Sequence, residues 1–205
     1  MKDQINFLLA GVGGQGTILA SDVLVAAGLA AGYQAKQAEI HGMSQRGGSV
    51  TSHVRWGRVV YSPMAGAGEV DALLAFEKVE ALRNVHQLRP GGLALVNLEA
   101  IKPLSVSSGG QVYPGDDHLR AMLAKVTQHA ALVDGPTIAQ SLGNPKVANV
   151  VLLGALSQLL ESGGLVSADL DADAWLKVIT ERVPAKFVEL NRQAFLAGRQ
   201  AVEKA

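Results

Sequence analysis

A short apolar segment that leads directly into closely spaced glycines constrains this chain more than any other feature of its sequence. Residues 5–10 are apolar except for Asn6 and are followed by Gly11-Val12-Gly13-Gly14-Gln15-Gly16, after which residues 17–31 carry apolar side chains at helical spacing. An apolar run bounded by glycine is typical of a buried strand, and glycines allow the sharp turn into a helix. Because a second strand is predicted at residues 34–39, the order strand–helix–strand favours a Rossmann-like βαβ unit at the start of the chain, and with it a parallel sheet.

The glycine turn matches the Gly-x-Gly-x-x-Gly pattern of dinucleotide-binding sites, in which free amides at a helix N-terminus attract anionic oxygen. Glu39 follows Gly16 by 23 residues, where a ribose-binding acid is expected, so an NAD(P)-binding dehydrogenase is one interpretation. The glycines alternatively serve only the strand-to-helix crossing, with their amides capped by another loop, or form an anion or partner site. The candidate binding residues are Gly11, Gly13, Gly14, Gln15 and Gly16.

The rest of the chain extends the same α/β pattern. Apolar runs predict strands at residues 70–76, 93–98 and 130–133, and helices are predicted at residues 77–88, 117–129, 147–160 and from about 185 onward. Residues 49–56 and 59–61 flank Gly57-Arg58, which predicts a tight β-hairpin. We expect a single three-layer, doubly wound α/β domain over residues 1–205, with a mostly parallel sheet and one hairpin.

Two features of the C-terminal third have alternative interpretations. Asp169-Leu170-Asp171-Ala172-Asp173 is spaced like a calcium loop but lacks its glycine and closing glutamate, so an acidic helix start is expected. The last helix could pack against the domain or against another subunit, and packing against the domain is favoured. Its predicted apolar face comprises Phe187, Leu190, Ala194, Ala197 and Ala201.

Composition excludes several classes of function. The 205 residues include no cysteine, so the chain cannot form a disulfide, offer a thiolate nucleophile or ligate an iron–sulfur cluster through cysteine. Its 18 basic and 18 acidic residues cancel, so no overall field attracts nucleic acid or an anionic membrane. The longest apolar stretch, residues 147–160, is too short to span a bilayer, and the first residues lack the apolar segment of a secretory signal. We expect a cytoplasmic protein.

A polar, glycine-rich loop after the second strand is another candidate site. Residues 33–58 contain four basic residues against the single acid Glu39, although the chain is neutral overall. Arg46 is followed by Gly47 and Gly48, so a planar guanidinium stands beside unencumbered backbone, an arrangement that suits phosphate or carboxylate. The simpler interpretation is that the basic residues form the solvated face of a hairpin.

Together, the glycine turn and His41-Gly42-Met43-Ser44-Gln45-Arg46-Gly47-Gly48-Ser49 resemble the gamma-type subunits of 2-oxoacid:ferredoxin oxidoreductases. The second motif is most similar to that of the small subunit of the indolepyruvate-type enzymes. The resemblance continues in order through most of the chain, including residues 144–155, which are similar to an Asn-rich helix entry in that family. The two motifs in this order are more specific than the glycine turn alone.

The resemblance implies a thiamine diphosphate-dependent complex that oxidatively decarboxylates an aryl 2-oxoacid, such as indolepyruvate, with coenzyme A and passes electrons to ferredoxin. In such a complex this chain binds no cofactor by itself. Thiamine diphosphate, Mg²⁺ and the iron–sulfur clusters belong to a larger partner subunit, because this chain has no cysteine and only a faint echo of a diphosphate motif at Gly115-Asp116-Asp117. We therefore expect no catalytic residue here, and an isolated chain that is inactive.

The resemblance gives the second loop a supporting role. We expect it to lie beside the glycine turn at the carboxyl ends of the strands and to pack against the larger subunit, near the entrance for coenzyme A or the oxoacid. Arg46 is the candidate for an anion contact and His41 for a polar interface contact, and an apolar patch should be exposed when the chain is isolated. The coenzyme A or interface residues are His41, Ser44, Gln45, Arg46, Gly47 and Gly48.

The other histidines have simpler interpretations. His53 alternates with apolar neighbours on a strand and is expected to be a half-buried hairpin residue rather than a catalyst. His118 and His129 fall in one predicted helix without a third ligand, so no metal site is expected.

Overall fold

The computed structural model describes residues 3–42 and 47–203. The strands in this part of the chain are β1 (Gln4–Val12), β2 (Gln34–His41), β3 (Ser49–Gly57), β4 (Val70–Ala75), β5 (Leu88–Asn97) and β6 (Ala130–Val133). The α-helices are α1 (Thr17–Ala30), α2 (Lys78–Asn84), α3 (Leu104–Ser107), α4 (Asp116–Ala124), α5 (Gly135–Ser141), α6 (Ala148–Ser162), α7 (Ala172–Thr180) and α8 (Val188–Glu203). Short 3₁₀-helices cover Val85–Gln87, Pro145–Val147 and Ala185–Phe187.

The strands form one mixed sheet in the order β2-β3-β1-β4-β5-β6. β1, β4, β5 and β6 pair in parallel, whereas β3 is antiparallel to both β1 and β2. β2 therefore runs in the same direction as β1, and the prediction of a mostly parallel sheet is confirmed. The predicted βαβ order is also present, but β3 is inserted between its two strands.

Strands β1, β4, β5 and β6 send alternate side chains into two separate apolar cores. On β1, Phe7 and Leu9 belong to the core that α1, α5, α6, α7 and α8 cover. Leu8 and Ala10 point to the opposite face, which α2 and α4 cover. This alternation is the period of a strand with both faces buried, so the predicted three-layer α/β class is confirmed.

The predicted hairpin at Gly57-Arg58 is wrong. β3 forms its hairpin with β2 instead, in a register that runs from His41 opposite Val50 to Gln34 opposite Gly57. The other edge of β3 pairs with β1 over its whole length. Because both edges of β3 are occupied, residues 59–61 have no strand to pair with and do not form one.

Several element boundaries also differ from the prediction. α2 ends at Asn84 and β5 already begins at Leu88, because Pro90 and its neighbouring glycines lie in an irregularity of the β4–β5 register rather than before the strand. α4 ends at Ala124, so the helix predicted to reach residue 129 is too long. The strand predicted at residues 130–133 and the helix predicted at 147–160 are present as β6 and α6.

The C-terminal helices pack as expected, and Leu190, Ala194 and Ala201 of the predicted apolar face lie in or against the larger core. The Asp171 carboxylate accepts a hydrogen bond from Ala174 N at 2.9 Å, so the acidic run begins helix α7. α8 lies against α6 and buries Ala194 and Phe195 in the larger core, whereas Phe187 is 37% exposed. The contact between α6 and α8 includes Gly198, which the apolar pattern did not include.

Candidate functional site at the glycine turn

The glycine turn lies at the carboxyl end of β1, where β4 and β5 also end because the three strands are parallel. Gly14 and Gly16 have φ angles of 107° and 79°, a range that glycine adopts without strain. Gly13 N donates to Gly48 O at 2.9 Å, so the turn and the second loop lie side by side. Both segments therefore sit at the sheet edge where α/β folds bind ligands.

The Gln15 side chain holds the turn together. Its Oε1 accepts from Val12 N at 2.7 Å, and its Nε2 donates to Phe76 O at 2.9 Å and to Glu99 Oε2 at 2.8 Å. These bonds join the ends of β1 and β4 to the segment that follows β5. Because both amide hydrogens of Gln15 are used within the protein, its side chain has no donor left for an anion.

An inner cleft of about 380 Å³ opens beside the turn. A Cβ atom on Gly16 would lie 2.5 Å from Asn149 Nδ2, so the start of α1 approaches the start of α6 closely only because residue 16 is glycine. A cleft of this size suits a small ligand or part of a larger one. The inner cleft is lined by Gly14, Gln15, Gly16, Phe76, Asn97, Glu99, Pro145, Lys146, Ala148, Asn149 and Leu152.

Two helix N-termini meet at the inner cleft. The first turn of α1 contains no acidic residue, and no side chain caps the helix at Gly16. α6 follows the 3₁₀-helix Pro145–Val147, whose first residues include the exposed Lys146. Lys146 N and Val150 N already donate to Asn144 Oδ1 and Asn149 Oδ1, so the uncapped amides are those at the start of α1. The partial positive charge of the helix N-termini, together with Lys146, favours an anionic ligand.

A polar pair at the end of β5 lines the opposite part of the inner cleft. Asn97 is buried and donates through Nδ2 to Phe76 O at 3.0 Å and to Glu99 Oε2 at 3.3 Å, while its Oδ1 accepts from Gly135 N at 3.1 Å. Glu99 is partly exposed and receives the Gln15 bond on the same Oε2. The cleft therefore combines groups that attract an anion with one carboxylate.

An outer cleft of about 480 Å³ lies on the other side of the turn, against the hairpin. Glu39 and His41 are exposed there, and His41 Nδ1 lies 3.1 Å from Gly42 O. Because β3 separates β2 from β1, Glu39 is two strand spacings from the glycine strand, roughly 10 Å, which weighs against the dinucleotide interpretation. The outer cleft is lined by Gly13, Gly14, Gly16, Thr17, Ile18, Glu39, His41 and Val50.

Three of the candidate residues in the second loop, Ser44, Gln45 and Arg46, lie outside the described residues. Of the same motif, Gly47 has a φ angle of 73° and Gly48 accepts the hydrogen bond from Gly13. The described part of the loop therefore contacts the glycine turn through backbone.

Sequence reasoning missed the four polar residues that line the inner cleft beyond the glycine turn: Asn97, Glu99, Lys146 and Asn149. Asn97 is a polar residue at the carboxyl end of a predicted strand, a position that could have marked it. Lys146 and Asn149 fall in the segment similar to the Asn-rich helix entry. Glu99 carries no comparable signal, because its place depends on where the chain turns after β5.

His53, His118 and His129 do not form a metal-binding group. His53 is 6% exposed, which is more buried than expected, and its Nδ1 accepts from Ala65 N at 3.4 Å. Burial, and then the nearby Arg55, lower the pKa of His53, so its ring stays neutral. His118 lies on α4, whereas His129 follows that helix. Within residues 3–42 and 47–203, no group of three or more His, Asp or Glu side chains could hold a metal ion.

Exposed apolar side chains occur beside the outer cleft. Ile18 lines it and is 55% exposed, and Ile40, next to Glu39 and His41 in sequence, is 48% exposed. The expected apolar patch, which was not assigned to a region of the sequence, stays a prediction. None of the helices in the described ranges has both the length and the apolar character needed to cross a membrane.

Residues 6–201 match the family model described as pyruvate ferredoxin/flavodoxin oxidoreductase. A curated relative, indolepyruvate oxidoreductase subunit IorB of Thermococcus kodakarensis, is 38% identical over 202 residues, which cover 98% of this chain and 97% of the relative.

Two solved structures share the fold. The gamma subunit of the keto/oxoacid ferredoxin oxidoreductase from Geobacter sulfurreducens superposes with a TM-score of 0.69 at 30% identity, over 98% of this chain and 99% of that chain. The 2-oxoglutarate:ferredoxin oxidoreductase from Magnetococcus marinus was solved with 2-oxoglutarate, coenzyme A and succinyl-CoA bound. It superposes with a TM-score of 0.73 at 19% identity, over 100% of this chain and 32% of that longer chain.

The family match covers nearly the whole chain, and the relatives named above agree with it in both sequence and fold. They also agree with the resemblance that the glycine turn and the second loop carry. This chain belongs to the pyruvate ferredoxin/flavodoxin oxidoreductase family.

Proposed function

We propose that this chain is the small subunit of a cytoplasmic 2-oxoacid:ferredoxin oxidoreductase that oxidatively decarboxylates indolepyruvate or a related aryl pyruvate with coenzyme A. A larger subunit is its partner, and ferredoxin accepts the electrons. The name of the Thermococcus relative supports the indolepyruvate substrate, and the family match over residues 6–201 supports treating residues 1–205 as one domain.

The residues of this chain do not fit the cofactors of such a complex. Iron–sulfur clusters need cysteine thiolates, and the sequence contains none. The partial match to a diphosphate-binding motif at Gly115-Asp116-Asp117 lies at the start of α4. There, Asp116 accepts a hydrogen bond from Lys78 Nζ at 2.7 Å. We therefore assign thiamine diphosphate, Mg²⁺ and the clusters to the larger subunit and derive no step through them here.

The contribution of this chain is to bind anionic groups of coenzyme A at the inner cleft. One observation carries this proposal: the uncapped N-terminus of α1, the start of α6 and Lys146 all line one cleft beside the glycine turn. Gly14, whose Cβ would meet no atom of the described residues within 4 Å, leaves room for an anion to approach the backbone amides, and Asn149 lines the same cleft. The proposal keeps Arg46, in the second loop, as the candidate for an anion contact with coenzyme A or the oxoacid.

The inner cleft is large enough to hold only part of coenzyme A. A volume of about 380 Å³ lies near the lower end of the range for ligand sites, so the rest of the coenzyme extends toward the larger subunit. The outer cleft, with exposed His41 and Ile18, is the surface we assign to contact with that subunit.

The proposal is tested by titrating the full-length chain, and the complex purified with its partner, with coenzyme A in a calorimeter. Lys146→Ala is expected to weaken coenzyme A binding about fivefold, because an exposed charge contributes about 1 kcal/mol. Lys177→Ala removes an exposed lysine from α7 and is the matched control, with no expected change in affinity. Arg46→Ala is expected to weaken coenzyme A use or the association of the subunits.

Three results would contradict the proposal. The first is coenzyme A affinity that Lys146→Ala leaves unchanged, and the second is an Arg46→Ala complex with unchanged kinetics and unchanged mass. The third is saturable binding of NAD(H) to the isolated chain at micromolar concentration with turnover of a substrate, which would favour the dehydrogenase interpretation of the glycine turn.

A further inference from the structure

We propose that Glu99 forms an acceptor subsite in the inner cleft, which selects a ligand carrying hydrogen-bond donors beside its anionic group. This inference rests on the proposed function, since it takes coenzyme A as the ligand. It adds that the site requires hydrogen-bond donors beside the anionic group, which distinguishes coenzyme A from simpler anions of similar charge.

The Glu99 carboxylate is held in place by two amides that are themselves fixed. Its Oε2 accepts from Gln15 Nε2 at 2.8 Å and from Asn97 Nδ2 at 3.3 Å. Gln15 is also bonded to Val12 N and Phe76 O, and Asn97, which is 1% exposed, is bonded to Phe76 O and Gly135 N. Glu99 is therefore a preorganised group on the wall of the cleft.

The other carboxylate oxygen remains available. In the described part of the chain, Glu99 Oε1 accepts no hydrogen bond, and no lysine or arginine lies within ion-pair distance of either oxygen. Lys146 lines the same cleft without pairing with Glu99. A partly buried carboxylate with one unused oxygen favours a ligand that brings an O–H or N–H group to it.

The two kinds of group in the cleft make opposite demands on a ligand. The helix N-termini and Lys146 attract negative charge, whereas Glu99 repels a bare anion that comes close to it. A ligand satisfies both only if its anionic group is flanked by hydrogen-bond donors. A nucleotide such as coenzyme A has this property through its sugar and base, which inorganic pyrophosphate lacks.

Glu99→Gln tests the subsite because it reverses the hydrogen-bonding polarity while keeping the shape. Gln15 and Asn97 both donate, so the amide oxygen of the variant residue must face them. Its NH₂ group then takes the place of the available carboxylate oxygen, and an acceptor becomes a donor. We expect the variant to bind pyrophosphate about tenfold more tightly and coenzyme A about tenfold more weakly, the range of a charge-assisted hydrogen bond.

The experiment is a calorimetric titration of the full-length chain, and of the complex purified with its partner, with coenzyme A and, separately, with pyrophosphate. Glu181→Gln, which neutralises an exposed carboxylate at the end of α7, is the matched control and should leave both affinities unchanged. Glu99→Ala removes the acceptor without supplying a donor, and it should weaken coenzyme A binding while strengthening pyrophosphate binding less than Glu99→Gln does. Thermal unfolding of each variant checks that it is folded.

The outcomes separate this inference from the proposed function. If Glu99→Gln changes both affinities by the same factor, or changes neither, the acceptor subsite is refuted while coenzyme A binding stands. If the parent chain and its complex bind no coenzyme A, the proposed function fails. If the Gln variant does not fold, the Ala variant decides, and an unchanged ratio of the two affinities refutes the subsite.

Discussion

Replacing Gly198 by alanine should destabilise the protein through the contact between α6 and α8. A Cβ atom at residue 198 would lie 1.9 Å from Val151 O and 3.1 Å from Ala155 N. The glycine on α6 is equally crowded, since a Cβ on Gly154 would lie 2.0 Å from Phe195 O on α8. These are backbone atoms of packed helices and cannot swing aside, so the helices must move apart by at least about 1 Å.

The expected loss of stability follows from two opposing effects. Overpacking a well-packed interface costs about 1–3 kcal/mol, and a clash with backbone on both helices places Gly198→Ala at the upper end of that range. Alanine in the interior of a helix returns about 1 kcal/mol relative to glycine. The free energy of unfolding should therefore fall by about 2 kcal/mol, which lowers the melting temperature of a chain of this length by about 4–8 °C.

Urea and thermal unfolding, followed by circular dichroism at 222 nm, measure this change. Gly42→Ala is the control, because its Cβ would meet no atom of the described residues within 4 Å, and the stability of this variant should stay within about 0.5 kcal/mol of the parent. The double variant Gly154→Ala/Gly198→Ala should lose less than the two single losses together, since the first substitution already separates the helices. A Gly198→Ala protein as stable as the parent would refute the close helix contact.

Two further predictions concern the site and the sheet. Gly16→Ala should lower the free energy of unfolding, because its Cβ would meet the Asn149 amide. Asn149→Ala should then lower the free energy of unfolding by about 1 kcal/mol less in the Gly16→Ala protein than in the parent. Losses in urea unfolding that simply add would contradict the contact. The lowered pKa of His53 means that below about pH 6.5 the unfolded chain binds a proton that the folded chain does not, so stability should fall from pH 7 to pH 5. His53→Asn, which keeps an acceptor for Ala65 N, should make that fall shallower, and an unchanged slope would show that the His53 ring is free to protonate in the folded state.

Sequence patterns within a few residues were sufficient to predict the strands and the helix around the glycine turn. β1, α1 and β2 begin and end close to their predicted limits, because an apolar run, closely spaced glycines and a helical stripe each act within a few residues. β6 matches its prediction at residues 130–133 for the same reason. The hairpin partner of β3 was not predictable in this way, because its pairing depends on which strand edges are free after the sheet has assembled.

The candidate site was predictable in part. The glycine motif and the second loop placed Gly13 and Gly48 in the same region, and one hydrogen bond joins them. The inward direction of the Gln15 side chain was not predictable, since its acceptors Phe76 O and Glu99 lie 61 and 84 residues further along the chain.

The sequence by itself determined where the chain turns from strand to helix and which positions of that turn must be glycine. Both depend only on the backbone conformation of a few neighbouring residues. It also determined that no cysteine chemistry takes place on this chain. Only the tertiary structure decided that Glu99, Lys146 and Asn149 line one cleft with Gly16, and that β3 separates Glu39 from the glycine strand. Those arrangements depend on strand order and helix packing, which are set by burial of side chains distant in sequence.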